Sequence, residues 1–377
     1  MSPSAKKLSE VGEKALIRDF IKPFFNSTDD PAGVGDDCAM VTFGDEVALL
    51  STDRVPSDLT AFKLGILDFH GLGDYLARLN LSDIAACGGK AVGLLLNLGL
   101  PNNIAYEDVL SLCRGFGSRA DQHGATVLGG DITSASELSI SATSIGRAVR
   151  GHVLTRRTAM PGDSIFISRP LGLTPAAFHV FLGKLESRLS ADALTLLRKQ
   201  FTDLEPMLTL GQSLGTSGQC SSCMDNTDGI GQSLSELSEA SKCAFVVHSS
   251  AAQISSVVQS VSRIIGVQPL DFVFDGGADF SLVGTIRGQW SSERATAQFG
   301  HPLEIIGHVE AGHGIWLEDG QRKPLAFRGW NYFSRALNLK NENPRPPKAG
   351  CRQQDAKQSR RAGLARAVHA GVRRVAG

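Results

Sequence analysis

Aspartate stands in or beside short turn-forming segments at six places: Gly35-Asp36-Asp37, Ser51-Thr52-Asp53, Asn80-Leu81-Ser82-Asp83, Gly129-Gly130-Asp131, Asp225 and Thr227-Asp228-Gly229. Any one such turn is explained by local backbone preference, because Asp and Gly dominate turns. Six of them at the ends of predicted elements ask for a common purpose. Hard divalent cations such as Mg2+ take carboxylate oxygens and leave positions for phosphate. Glycine lets a phosphate approach the main chain and accept its N–H groups. The set predicts a site for a metal ion and a polyphosphate.

Other chemistries lack their residues. There is no GxxxxGK[ST] and no GxGxxG ahead of a helix, so neither a Walker loop nor a dinucleotide fold is supported. Ser51 has no GxSxG context, and the nine histidines show neither HExxH nor HxH spacing. His70, His123 and His179 read as exposed or hydrogen-bonded side chains rather than ligands. Cys220 and Cys223 form the one CxxC; with seven cysteines in all, a disulfide framework is disfavoured and a reducing cytoplasm expected.

The elements that must position these turns follow from periodicity. Helical spacing appears over 10–25, 62–86, 104–122, 173–183, 190–200 and 250–264. Strand-like runs appear at 47–50, delivering Ser51-Thr52-Asp53 to its end, and at 92–98. Others lie at 125–128, leading into the Gly129-Gly130-Asp131 turn, and at 138–149, 164–168 and 245–248. Residues 272–286 read as strand–turn–strand. Mixed strands and helices without a regular βαβ beat indicate an α+β fold. A chain of 377 residues is long enough for two domains, with a boundary at the Pro161-Gly162-Asp163 turn or just before it.

The composition, 42% hydrophobic and 20% charged, is that of a soluble globular protein. The longest apolar stretch, 91–100, is too short to span a bilayer, and no signal peptide is visible. Net charge is zero, yet residues 340–377 carry ten Lys/Arg against two acids, leaving a net of −8 on the rest. That end reads as a flexible, basic, disordered tail, with nucleic-acid or membrane-surface binding as its alternative role.

In order, GVGDDCAMV (33–41), STD (51–53), NLSDIAACGG (80–89), GGD (129–131), LTRRTAMPGD (154–163), MDNTDGI (224–230), FDGGADFSLV (274–283) and GWNYF (329–333) resemble the successive blocks of thiamine-monophosphate kinase. That family belongs to the superfamily of aminoimidazole ribonucleotide synthase, selenophosphate synthetase and the hydrogenase-maturation carbamoyl dehydratase. The resemblance spans roughly residues 10–335. It implies a two-domain aminoimidazole ribonucleotide synthase-like fold: residues 1–150 as a dimerising, ATP- and Mg-binding domain, 151–339 as an α/β sandwich, and 340–377 as the tail. It also implies a homodimer with ATP as co-substrate and Mg2+ as cofactor. Carried over block by block, Asp36, Asp37, Asp53, Asp83, Asp131 and Asp228 correspond to metal-binding carboxylates. Thr52, Gly129, Gly130, Asp131 and Arg156 would hold the nucleotide. Asp53, Asp131, Arg156 and Asp228 would carry catalysis.

The implied chemistry is γ-phosphoryl transfer to a small phosphorylated metabolite. It needs positioning and charge neutralisation more than a covalent nucleophile. Four departures fall on the substrate side of the family pattern. Arg54-Val55-Pro56-Ser57-Asp58-Leu59 replaces Leu-Val-Glu-Gly-Val-His-Phe, and Tyr75 replaces a Lys. Gly276-Gly277-Ala278-Asp279-Phe280-Ser281-Leu282 loses both glutamates of Gly-Gly-Glu-Asp-Tyr-Glu-Leu. Asn331 and Tyr332 replace Asp and His. They leave open an ATP-dependent ligase, cyclase or kinase acting on another metabolite, and a nucleotide-binding protein without turnover.

Overall fold

A computed structural model of the chain describes residues 13–17, 35–56, 59–250 and 254–327, together with Leu8. The GWNYF block, the basic tail and most of the expected helix over 10–25 lie outside the described residues; Glu13–Ala15 is helical.

A first sheet is built from β1 (Ala39–Phe43), β2 (Glu46–Val55), β3 (Lys90–Leu100), β4 (Thr126–Ser134) and β5 (Ser139–Val149), joined in the order β1-β2-β5-β3-β4, with alternating burial clearest in β2 and β5. The β3–β4 pair is parallel and the others antiparallel. Val47, Leu49 and Val55 of β2 are buried while Thr52 and Arg54 are exposed, as a period of two requires. The buried face packs on α1 (Phe69–Ala86), which runs beside α2 (Tyr106–Gln122). Asp68 caps α1 by accepting the Gly71 N–H at 2.8 Å.

The chain then enters a second, seven-stranded sheet. Its strands are β6 (Ser164–Ile167), β7 (Cys220–Asn226), β8 (Cys243–His248), β9 (Ser281–Ile286), β10 (Glu304–Ala311), β11 (Ile315–Asp319) and β12 (Gln321–Pro324), in the order β12-β11-β8-β10-β6-β9-β7. All neighbours are antiparallel except β8 and β11. Helices α3 (Leu173–Leu182), α4 (Ala191–Thr202), α5 (Leu208–Ser217), α6 (Ile230–Ser241), α7 (Ser256–Ile265), α8 (Pro269–Asp275) and α9 (Ser292–Phe299) accompany it.

One apolar cluster runs from Leu76, Leu81 and Ile84 of α1 to Phe166, Leu282 and Ile286 of the second sheet. A second seals that sheet's other face, where Phe245 and Val247 meet Leu234 and Leu237 of α6. Arg78, fully buried on α1, donates to the carbonyls of Phe201 (2.7 Å) and Leu204 (3.1 Å) and pairs with Asp74 at 2.7 Å. Its charge is thus satisfied where water is absent. Among the described residues no helix is long and apolar enough to cross a membrane.

The mixed α and β content and the helices over 104–122, 173–183 and 190–200 agree with expectation. Four segments differ. The expected helix over 62–86 is broken after Lys63, where Gly65 takes a positive φ, and resumes at Phe69. β2 does not end at Ser51-Thr52-Asp53 but runs through it to Val55, because β5 supplies a partner for every residue of it. Gly129-Gly130-Asp131 is no turn: β4 continues through it, paired with β3. The 272–286 region begins as a helix rather than a strand, started by Pro269 at its first position, and only Ser281–Ile286 is extended.

Candidate metal and nucleotide site

Five carboxylates arrive from four places. Asp36 and Asp37 lie just before β1, Asp53 lies within β2, Asp83 in the last turn of α1 and Asp225 in β7. The carboxylate oxygens of Asp37, Asp83 and Asp225 are within 4.8 Å of one another. Asp53 hydrogen-bonds Asp83 and lies in the field of Asp37 and Asp228. The end of α1 explains the convergence. Asn80 accepts the Asp53 N–H at 3.2 Å, Ser82 Oγ donates to Asp225 Oδ2 at 2.6 Å, and Asp83 Oδ2 accepts from Ser51 Oγ at 2.5 Å. One helical turn therefore ties β2 to β7.

Nothing in folding alone favours this crowding. Burial, then the charge of Asp37, lifts the Asp36 carboxyl to about 7. Burial with the Asp37 charge lifts Asp225 to about 8, against the Ser82 hydrogen bond and Arg156. Burial also raises Asp53, and raises Asp83 well above the carboxylate range, helped there by Asp53, Asp225 and Asp37. Asp83 additionally sits at the negative end of a helix dipole, where an acid is disfavoured. An all-oxygen donor set short of positive charge suits a hard divalent cation such as Mg2+. Asp37, Asp83 and Asp225 are the residues that would hold it, with Asp36 and Asp53 beside them.

Arg156 is the organic cation of the site. It pairs with Asp37 at 2.7 Å and with Glu236 of α6 at 2.6 Å, and its backbone N–H donates to Asp36 Oδ1 at 3.2 Å. Burial would lower its proton affinity, but Asp37 outweighs that and raises it. Asp228 precedes Gly229, whose φ of 104° turns the chain into α6. That 12-residue helix begins just after Asp228, whose charge reaches Asp53, and a helix N-terminus presents N–H groups without intrahelical partners.

Asp36, Asp37, Asp53, Asp83 and Arg156 are brought together, and Asp228 lies in electrostatic reach of Asp53. Thr52, Gly129, Gly130 and Asp131 are placed elsewhere. Thr52 points to the opposite, open face of the first sheet, where its hydroxyl meets that of Thr143 at 2.9 Å. Asp53 pairs with Ala142, Ala142 with Leu96 and Leu96 with Gly130. The glycine pair and Asp131 are therefore three strands from Asp53, about 14 Å at ordinary strand spacing. Asp131 is exposed on the edge strand β4. The sequence-based ligand set omitted Asp225, and its reading missed Glu236, Ser51 and Ser82. Asp225 was visible as an acid in MDNTDGI, but β7 was not recognised as a strand, so nothing aimed its side chain.

The part of the chain that holds Asp36, Asp37, Asp53 and Asp83 carries a family match. Residues 35–148 match the model of the AIR synthase related protein, N-terminal domain. The thiamine-monophosphate kinase of Pyrococcus horikoshii is 26% identical over 330 residues, covering 86% of this chain and 97% of the relative. That of Archaeoglobus fulgidus is 28% identical over 306 residues, covering 80% and 91%. Residues 35–148 thus match an AIR synthase-related N-terminal domain, and the chain over most of its length is similar to thiamine-monophosphate kinases. The solved structure of AaThiL complexed with AMPPCP and TMP shares its fold, with a TM-score of 0.74 at 23% identity over 88% of this chain and 100% of that one. The superfamily block order and the carboxylate cluster are thus found on one scaffold.

Proposed function

We propose that the chain is an Mg-ATP-dependent kinase that transfers the γ-phosphoryl group of ATP to thiamine monophosphate. The observation that carries this is the convergence of Asp37, Asp83 and Asp225 beside Arg156, in a chain whose curated relatives are named for that reaction. The complex of AaThiL with AMPPCP, an ATP analogue, and TMP supports the same pairing of substrates.

Bound Mg2+ would supply charge neutralisation for the phosphates. The chain's own groups do the rest. Asp37, Asp83 and Asp225 fix where the cation sits, and the N-terminus of α6 offers N–H groups to phosphate oxygens. Arg156, anchored by Asp37 and Glu236, sets positive charge next to the same place. The acceptor is a phosphate oxygen already anionic near neutral pH, so no general base is needed. Asp53 and Asp228 complete the charge around the transferring group.

The open face of the first sheet supports a homodimer. Phe43, Val92, Leu95, Val127, Leu128 and Ile132 are exposed there or along its edge, and exposed apolar side chains gathered on one sheet suit an interface. A second copy covering it would bring Thr52, Gly129, Gly130 and Asp131 into an interface, where nucleotide contacts to them would be made in the assembled protein. Residues 1–150 would then form the dimerising domain and 151–339 the second.

Two substrate-side departures touch each other: the rings of Tyr75 and Phe280 pack edge to face at 5.4 Å, with Arg78 over both. Tyr75 is buried in the core, and burial pushes its phenol up to about 12. That packing leaves room for a ligase, cyclase or kinase acting on a different metabolite. Incubation with ATP, Mg2+ and thiamine monophosphate, read by mass spectrometry, separates the readings. Thiamine diphosphate formed at enzymatic rates supports the kinase; Mg-dependent ATP binding without product discards the acceptor and keeps the nucleotide site.

A further inference from the structure

Far from the carboxylate cluster, four strands of the second sheet bring five ionisable side chains into one row. On β8 and β10, on the face opposite α6, His248 Nε2 and His308 Nδ1 face each other at 3.2 Å, with the rings stacked at 5.2 Å. The other nitrogen of each ring meets a carboxylate: His248 Nδ1 lies 3.0 Å from Glu318 Oε2 of β11, and His308 Nε2 lies 2.8 Å from Glu310 Oε1 of β10. Arg322 of β12 clamps Glu310 with two contacts of 2.9 Å and reaches Glu318 at 3.7 Å.

Counting protons shows what this row lacks. The sequence Glu318–His248–His308–Glu310 has three polar gaps, and two neutral imidazoles bring two N–H groups. When each ring donates to its carboxylate, the facing nitrogens present two lone pairs to each other. A positive centre between them, a proton or a metal ion, resolves that clash, and the two glutamates with one arginine leave a net −1 to receive it. Zinc bound by two imidazoles at 2.0–2.1 Å in tetrahedral geometry places their nitrogens about 3.3 Å apart, close to the spacing found here. Carboxylates on the distal nitrogens are the arrangement that fixes the tautomer and raises the basicity of metal-bound histidine.

We propose that His248 Nε2 and His308 Nδ1 form a binding site for a divalent transition metal of the zinc class, with water completing its coordination and Glu318 and Glu310 orienting the rings. The site is independent of the kinase centre: its donors are imidazoles, which Mg2+ does not favour. It bridges two adjacent strands and acts as a clip on the sheet. Binding displaces whatever proton occupies the gap between the rings.

The test uses the purified full chain, freed of transition metals and held in excess Mg2+ so that the carboxylate cluster is saturated. Calorimetric titration with Zn2+ is expected to show one saturable site and a rise in melting temperature. His248→Ala and His308→Ala should each weaken Zn2+ binding by tenfold or more and abolish the rise. Glu318→Gln should weaken it about tenfold. Both histidines are about 38% exposed, so the variants should fold, which circular dichroism checks. Kinase turnover in Mg-ATP should stay unchanged in all three. Absence of a saturable Zn2+ site, or Zn2+ affinity unchanged in both histidine variants, overturns the proposal.

Discussion

Ser82 on α1 donates a 2.6 Å hydrogen bond to Asp225 on β7, across 143 residues of chain. Both side chains are buried, so the bond couples the helix that carries Asp83 to the strand that carries Asp225. Ser82→Ala leaves a buried carboxylate short of a donor, at a cost of about 1.5–3 kcal/mol. Urea unfolding in Mg2+ should read that loss, and the KM for ATP should rise as Asp225 loses its aim. Unchanged stability would mean the hydroxyl bonds elsewhere in solution.

Neutralising the cluster should separate stability from activity. Asp37→Asn, Asp83→Asn and Asp225→Asn each remove a charge that would ligate the cation, and turnover should fall by about 10²-fold or more. Each also relieves repulsion among crowded carboxylates. In a chelator the Asp83 and Asp225 variants should therefore melt no lower than the parent, and in Mg2+ they should gain less stability than it does. A variant with normal turnover would remove that residue from the cluster.

Arg156 tests the opposite sign. Its guanidinium is held between Asp37 and Glu236, and Arg156→Ala strands the buried Asp37 while Glu236, half-buried, keeps its hydrogen bond from Gln232. The cost is about 3–5 kcal/mol, read by denaturant unfolding. Arg156→Lys keeps the charge but loses the fork that reaches two partners, so it should recover part of the stability and little of the turnover.

The pH dependence follows from Asp36, at about 7, and Asp225, at about 8, both raised chiefly by burial. Folded, these groups hold protons that the unfolded chain releases near the ordinary value of 3.8. Their contribution to stability is thus complete below that value and is lost as pH rises through about 7 and 8. Without metal, the melting temperature should fall over that window; with Mg2+ the fall should shrink. Binding Mg2+ near pH 7 should also release protons, which calorimetry in two buffers of different ionisation heat detects. Identical heats in both buffers would contradict the raised values.

Much of the candidate site is legible in the sequence, because Asp36, Asp37, Asp53 and Asp83, which the fold gathers, sit in short motifs whose residue types suit metal binding. Asp225 was harder. It lies in the Cys-Ser-Ser-Cys-Met-Asp-Asn strand, buried on both faces, where the alternation that marks half-exposed strands is lost. Asp131 shows the reverse error of inference. Gly-Gly-Asp reads as a turn from local preference, yet β3 pairs with it residue by residue, so tertiary pairing overrode the local signal. The α8 helix was missed for a similar reason: a short apolar run, Phe272-Val273-Phe274, does not distinguish strand from helix, and Pro269 was the clue.

Gly129 and Gly130 allow the phosphate-approach role to be separated from a packing role. Both have positive φ, 148° and 153°, where a side chain is strained by about 1–3 kcal/mol. Only Gly130 is also hemmed in: a Cβ there would strike the backbone of Leu96 on β3, whereas one on Gly129 would meet no atom within 4 Å. Gly130→Ala should therefore cost about 1–3 kcal/mol more than Gly129→Ala, measured by thermal or urea unfolding without nucleotide. Gly129→Ala becomes the informative variant. If a phosphate approaches this strand in the assembled protein, its KM for ATP should rise well beyond what its small stability loss explains. If the KM stays at the parent value, the glycine serves the β3–β4 pairing alone, and the nucleotide is held entirely by the carboxylates, Arg156 and the start of α6.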